Sequence, residues 1–126
     1  MQTIANNSQY ELSADPIRNR AFLTIKGFWR AEEVQDYLSD WEKTLNKLKP
    51  GFTLLTDARE MAIHPAEVRD LHKKAQEKIR QAGVKKVAEL QKEKVSQMQL
   101  DGVSRESAMP KKNFNEQEEA LKWLDE

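Results

Sequence analysis

Phe52-Thr53-Leu54-Leu55-Thr56 is a short apolar run that follows the loop Lys49-Pro50-Gly51 and ends abruptly in Asp57-Ala58-Arg59. A run of this length between breakers reads as a buried central strand, and such a strand must be covered by other layers. Its polar end delivers side chains to the edge of a sheet. In open α/β sheets the crevice beyond the carboxyl ends of the strands is where ligands and partners dock, so Asp57 and the residues after it are the first place to look for function.

The flanking segments supply the layers. Residues 1–9 are polar and read as a loose leader, with a single domain over 10–126. Tyr10 and Leu12 alternate with polar neighbours, and Ala21-Phe22-Leu23-Thr24-Ile25 follows the turn-forming Asp15-Pro16, which predicts a hairpin. Beyond Gly27, Val34, Tyr37, Leu38, Trp41, Leu45 and Leu48 recur at helical spacing. Glu32, Glu33 and Asp36 stand at the start of that stretch and Lys43, Lys47 and Lys49 at its end, as a helix dipole favours.

His64-Pro65 opens a second helix whose stripe is Val68, Leu71, Ala75 and Ile79, with Gly83 as its cap. Val84 to Leu90 reads as a further strand, and its charges suggest a less protected place than Phe52 to Thr56. Val95, Met98, Gln99 and Gly102 suggest a third helix, and Pro110 to Phe114 a short edge strand. Asn115 with Glu118 resembles an N-cap before a last helix carrying Ala120, Leu121, Trp123 and Leu124. The order β-β-α-β-α-β-α-β-α gives an α/β layer fold, a mixed sheet of about four or five strands flanked by about four helices.

Composition limits the chemistry. The 21 basic and 21 acidic residues cancel, so net charge offers no pull toward nucleic acid. Cysteine is absent, which removes disulfides, a thiol nucleophile and thiolate metal sites. No stretch approaches the roughly 18 apolar residues of a membrane span, and the amino terminus has no secretory pattern, so a cytoplasmic protein is expected. His72 lies eight residues after His64, not at the spacing that pairs ligands on one helix turn, so no metal site and no cofactor is predicted. Arg69 to Lys94 holds nine basic and four acidic residues, which could touch an anionic surface but reads more simply as a solvated face.

Asp57 and Arg59, two apart on an extended segment, share a face and could hold a carboxylate or phosphate through the arginine fork; the alternative is an ion pair with each other. His64 at a helix start could contact an anion or act as a base, although no serine or cysteine nucleophile stands near it in sequence. Phe28 and Trp29 are adjacent and cannot share one face of a strand. Met61 and Ile63 add apolar atoms beside the expected crevice, and Met98 with Leu100 a flexible wall.

Four segments carry a family resemblance. They are Leu23-Thr24-Ile25-Lys26-Gly27-Phe28 leading into Ala31-Glu32-Glu33, Lys49-Pro50-Gly51 running through Asp57, Gly83-Val84-Lys85-Lys86-Val87-Ala88, and Phe114 with Glu118-Glu119-Ala120-Leu121-Lys122-Trp123-Leu124. Over roughly Tyr10 to Leu124 the chain resembles the SpoIIAA-like family, related to the STAS domains of anti-sigma-factor antagonists and sulfate-transporter tails. The resemblance implies a mixed sheet flanked by helices and a role in binding or regulation, not catalysis. In the phosphorylation-switched antagonists of that type a serine opens the helix after the central strand. Asp57 to His64 here contains neither serine nor threonine, so that switch does not carry over, and Thr56 is the nearest acceptor.

The expectation is therefore a non-enzymatic module binding an apolar small molecule or lipid, with peripheral membrane contact as one setting. Its candidate residues are Trp29, Asp57, Arg59, Met61, Ile63, His64 and Met98. The alternative is a regulatory protein partner, engaged without a serine switch. An edge strand or apolar lip would also allow a homodimer.

Overall fold

The hairpin forms where the alternation places it. Tyr10–Asp15 (β2) pairs antiparallel with Arg20–Gly27 (β3), Leu12 facing Leu23 and Tyr10 facing Ile25 in register. The structure, a computed structural model, describes residues 1–92 and 110–126. Gln2–Asn6, expected as a loose leader, is a strand (β1) that adds to β2 with an irregularity between Thr3 and Ala5. Its polar composition concealed it, because an edge strand gains its order from ladder hydrogen bonds and needs little apolar surface.

Thr53–Met61 (β4) runs parallel to β3 and to Lys86–Leu90 (β5), which in turn carries Lys111–Phe114 (β6) at the far edge. The described residues thus form a six-stranded mixed sheet in the order β1-β2-β3-β4-β5-β6, where four or five strands were expected. β4 continues past Thr56 through Asp57, Ala58 and Arg59, so the polar residues expected in a loop belong to the strand. The register shift opposite Thr24 and Lys26 marks a bulge there, a device that bends the strand end and re-aims its side chains. β5 is not the less protected strand its charges suggested, since both its neighbours are paired and even Glu89 is buried.

The first helical stretch divides in two. Ala31–Glu33 is a 3₁₀ turn, and the α-helix Tyr37–Leu45 (α1) starts only after buried Val34. Lys47 and Lys49 consequently lie beyond α1, leaving Lys43 in its last turn. Ala66–Gln81 (α2) buries Val68, His72, Ala75, Gln76 and Ile79, a stripe at helical spacing that is partly polar. Gln117–Leu124 (α3) has Glu116 as its N-cap residue, without a side-chain cap bond, so the Asn115 cap does not form. These three α-helices stand against about four expected; the helix read near Val95 to Gly102 lies outside the described residues.

α1 and α2 cover one face of the sheet, where Leu12, Leu23, Ile25, Leu54 and Val87 of the strands pack in one cluster with Trp29 and with Trp41 of α1. α3 covers the other over Leu55, Ala88 and Leu90, which alternate with the first set along β4 and β5. Gly83 takes φ +93°, and a Cβ there would sit 3.0 Å from the Cβ of Pro50. This close approach locks the loop before β5 against the loop before β4, with Gly51 N–H donating to Gly83 O at 2.7 Å.

Candidate functional site

At the carboxyl ends of the parallel strands β3 and β4, two turns come together. Gly27 pairs with Met61 across the ladder, and Ala62 N–H donates to Gly27 O at 3.0 Å. Gly27 adopts φ +61°, a conformation that favours glycine, and this turns Trp29 back into the core while Phe28 is left outside. On the facing turn Met61 points inward and Ile63 outward. Phe28 and Ile63, which follow the two residues of that bond, remain 54% and 59% exposed at the end of the sheet.

Beneath this lip is a buried histidine pair. His64 Nε2 lies 2.9 Å from Gly27 O, and His64 Nδ1 lies 3.0 Å from His72 Nε2. A carbonyl only accepts, so His64 donates from Nε2; its bare Nδ1 then accepts from His72 Nε2–H, which fixes a neutral tautomer for both rings. Trp29 stacks on His64 with ring centroids 5.0 Å apart and lies 4.9 Å from His72, with Tyr37 edge-on to both Trp29 and His72. The indole N–H is also used, reaching Gln9 O and Lys26 O at 2.9 and 3.0 Å.

Burial pushes the His72 pKa down to about 3, and the neighbouring charge of His64 pushes it the same way. Burial also lowers His64, with its bond to Gly27 opposing. Both rings are therefore neutral at pH 7. Burial likewise raises the Tyr10 and Tyr37 hydroxyls above their ordinary range, Tyr10 being further raised by the bond it donates to Asp40.

Asp57 and Arg59 lie on the opposite face, because Leu55, Asp57 and Arg59 alternate away from Leu54, Thr56 and Ala58. They engage each other: Arg59 Nε and Nη2 reach the two carboxylate oxygens at 3.0 and 2.8 Å, and Arg59 N–H adds a third bond. Burial works to raise the Asp57 carboxyl, yet these bonds and the guanidinium charge outweigh it and hold it below the usual range. The sheet thus separates Asp57 and Arg59 from His64. Trp29 and Met61, read as pocket anchors, are packed in the core, Ile63 alone of the apolar candidates is exposed, and Met98 lies outside the described residues.

A second polar cluster was not legible as a site. Glu89 and Lys111 form an ion pair at 3.1 Å with side chains only 4% and 6% exposed, and Gln91 Nε2 donates to the same carboxylate at 2.8 Å. Next to it a cavity of about 20 Å³, room for one water, is bounded by Thr56, His72, Gln76 and Glu89 among apolar neighbours. The amide oxygens of Gln76 and Gln91 are buried without hydrogen-bond partners. The spacing of His72 and Gln76 on the buried stripe of α2 was the available signal. Among the described residues no three histidine, aspartate or glutamate side chains gather to hold a metal ion, and no helix is long and apolar enough to cross a membrane.

No protein-family model and no curated protein matches the sequence. Solved structures do. An uncharacterised protein of the DUF3478 family from Shewanella loihica PV-4, described as having a SpoIIAA-like fold, superposes with a TM-score of 0.74 at 16% identity, over 95% of this chain and 97% of that one. SiaC of Pseudomonas aeruginosa superposes with a TM-score of 0.51 at 12% identity, over 90% of this chain and all of that one. At these identities the likeness is one of fold, and the α/β architecture of the chain is the SpoIIAA-like fold that its sequence resembles.

Proposed function

We propose that the protein is a non-enzymatic regulatory module that binds a partner protein at the carboxyl end of β3 and β4. The observation that carries this reading is the exposure of both Phe28 and Ile63 where the ends of β3 and β4 are joined. Met1, Ile17, Phe28 and Ile63 are the large apolar side chains left exposed among the described residues, and of these Phe28 and Ile63 directly follow Gly27 and Ala62, the two residues joined by the Ala62 N–H to Gly27 O bond. Exposed aromatic and aliphatic anchors on a rigid support are what a protein interface uses as its centre. The family resemblance implies the same kind of role.

The chemistry around the lip supports binding over catalysis. Both His64 nitrogens are engaged, and Asp57 and Arg59 are across the sheet, so the residues a hydrolase would need do not meet. The expected lipid or small-molecule pocket loses support because Trp29 and Met61 fill the core and the cavity beneath α2 has room for a water only. Thr56 lines that cavity, 4% exposed, which argues against a phosphorylation switch at this position.

The test is affinity capture with the wild-type chain and with Phe28→Ser/Ile63→Ser, followed by reconstitution with the purified partner. The double variant should keep its melting temperature and lose at least about tenfold in affinity. A reconstituted complex that survives the substitution unchanged would refute the reading.

A further inference from the structure

Between α2 and the sheet, Thr56, His72 and Gln76 line the cavity that has room for one water. Thr56 comes from β4, while His72 and Gln76, four apart on α2, share one face of that helix. The His72 ring makes one hydrogen bond among the described residues, through Nε2 to His64 at 3.0 Å. Its Nδ1, unprotonated in the tautomer that Gly27 O imposes through His64, is left as an acceptor. Gln76 is only 8% exposed, and its amide oxygen is a second buried acceptor without a partner.

Two neighbouring buried acceptors call for a donor with two hydrogens. Glu89 is the one charged residue lining the cavity, and its pairing with Lys111 at 3.1 Å cancels that charge, which disfavours a cation there. A volume of about 20 Å³ excludes anything much larger than water. We propose that one water molecule is a fixed part of this fold, donating to His72 Nδ1 and Gln76 Oε1 and accepting from the Thr56 hydroxyl. It fastens α2 to β4 and extends the hydrogen-bonded series from Gly27 through His64 and His72 into the core. The inference is independent of the docking role assigned to the sheet end.

Oxygen-17 relaxation dispersion of the full chain counts long-lived internal waters, and water–protein NOEs locate them. The wild-type chain should show NOEs from a water tumbling with the protein to the methyls of Leu54 and Val87, which line the same cavity. Thr56→Val/Gln76→Met keeps the volume of both side chains and removes their polar groups. It should erase these NOEs, lower the count by about one water, and move the His72 Nδ1 nitrogen-15 resonance toward that of an unbonded nitrogen with the tautomer unchanged. Gln76→Met alone should lower the urea midpoint, whereas over a dry cavity it would raise the midpoint by removing an unsatisfied amide. A wild-type chain without long-lived water at Leu54 and Val87, a double variant that keeps the NOEs, or a Gln76→Met chain with a raised midpoint would each overturn the proposal.

Discussion

Acidification should destabilise this fold well above the range in which carboxylates titrate, and His72 is the main reason. Its ordinary pKa of 6.5 falls to about 3 in the folded chain, because burial beneath α2 disfavours the charged ring. Between those values the unfolded chain takes up a proton and the folded chain does not, so stability is fully present above pH 6.5 and is lost as the pH falls toward 3. Taking the pH from about 7.5 to 5 costs roughly 2 kcal/mol from this one ring. His64 shifts in the same direction and adds to the loss.

The neighbours of the pair do not obscure this window. Tyr10 and Tyr37 are raised and titrate only in alkali, while Asp57 and Asp125 are depressed and withdraw their contribution only at lower pH. Glu89 faces the same cavity from β5. Urea unfolding at pH 7.5, 6 and 5 reads the effect as a midpoint shift of about 1 M over the full span. His72→Gln retains an N–H donor for His64 but cannot titrate. It should be less stable at neutral pH, with a pH dependence smaller by about 2 kcal/mol. An unchanged pH slope in that variant would refute the account.

Other perturbations test the packing of the sheet and its loops. Gly83→Ala forces a side chain into a left-handed backbone against Pro50 and should lower stability by about 1–3 kcal/mol in denaturant titration. Glu89→Leu removes the buried carboxylate that pairs with Lys111 and should cost about 3–5 kcal/mol, whereas Glu89→Leu/Lys111→Met should recover most of that loss in a double-mutant cycle. Thr56→Glu places a second carboxylate beside Glu89 in the cavity and should unfold the chain or cost more than about 3 kcal/mol, read by circular dichroism and melting.

Local pattern was enough to place most of the architecture. The alternation of Tyr10 and Leu12, the apolar run after Pro50-Gly51 and the helical recurrence of Val68, Ala75 and Ile79 each bury a face by a period the sequence displays. β1 was invisible because ladder bonds need no apolar signature, and the extension of β4 through Arg59 because pairing with β3 overrides polar composition.

Sequence alone also determined what chemistry the chain lacks, since the absence of cysteine and of a serine before the second helix is a matter of composition. The grouping of side chains was decided by the tertiary structure. Asp57 and His64 are seven positions apart yet fall on opposite faces of the sheet, while His64 meets His72 and Gly27 across three elements. Adjacent Phe28 and Trp29 part company because Gly27 turns the chain, sending one ring to solvent and the other to the core. Which polar residues are buried together, as with Glu89 and Lys111, follows from strand register and from the helix laid over it. Neither is encoded in any single window of residues, because both arise from contacts between segments distant in the chain.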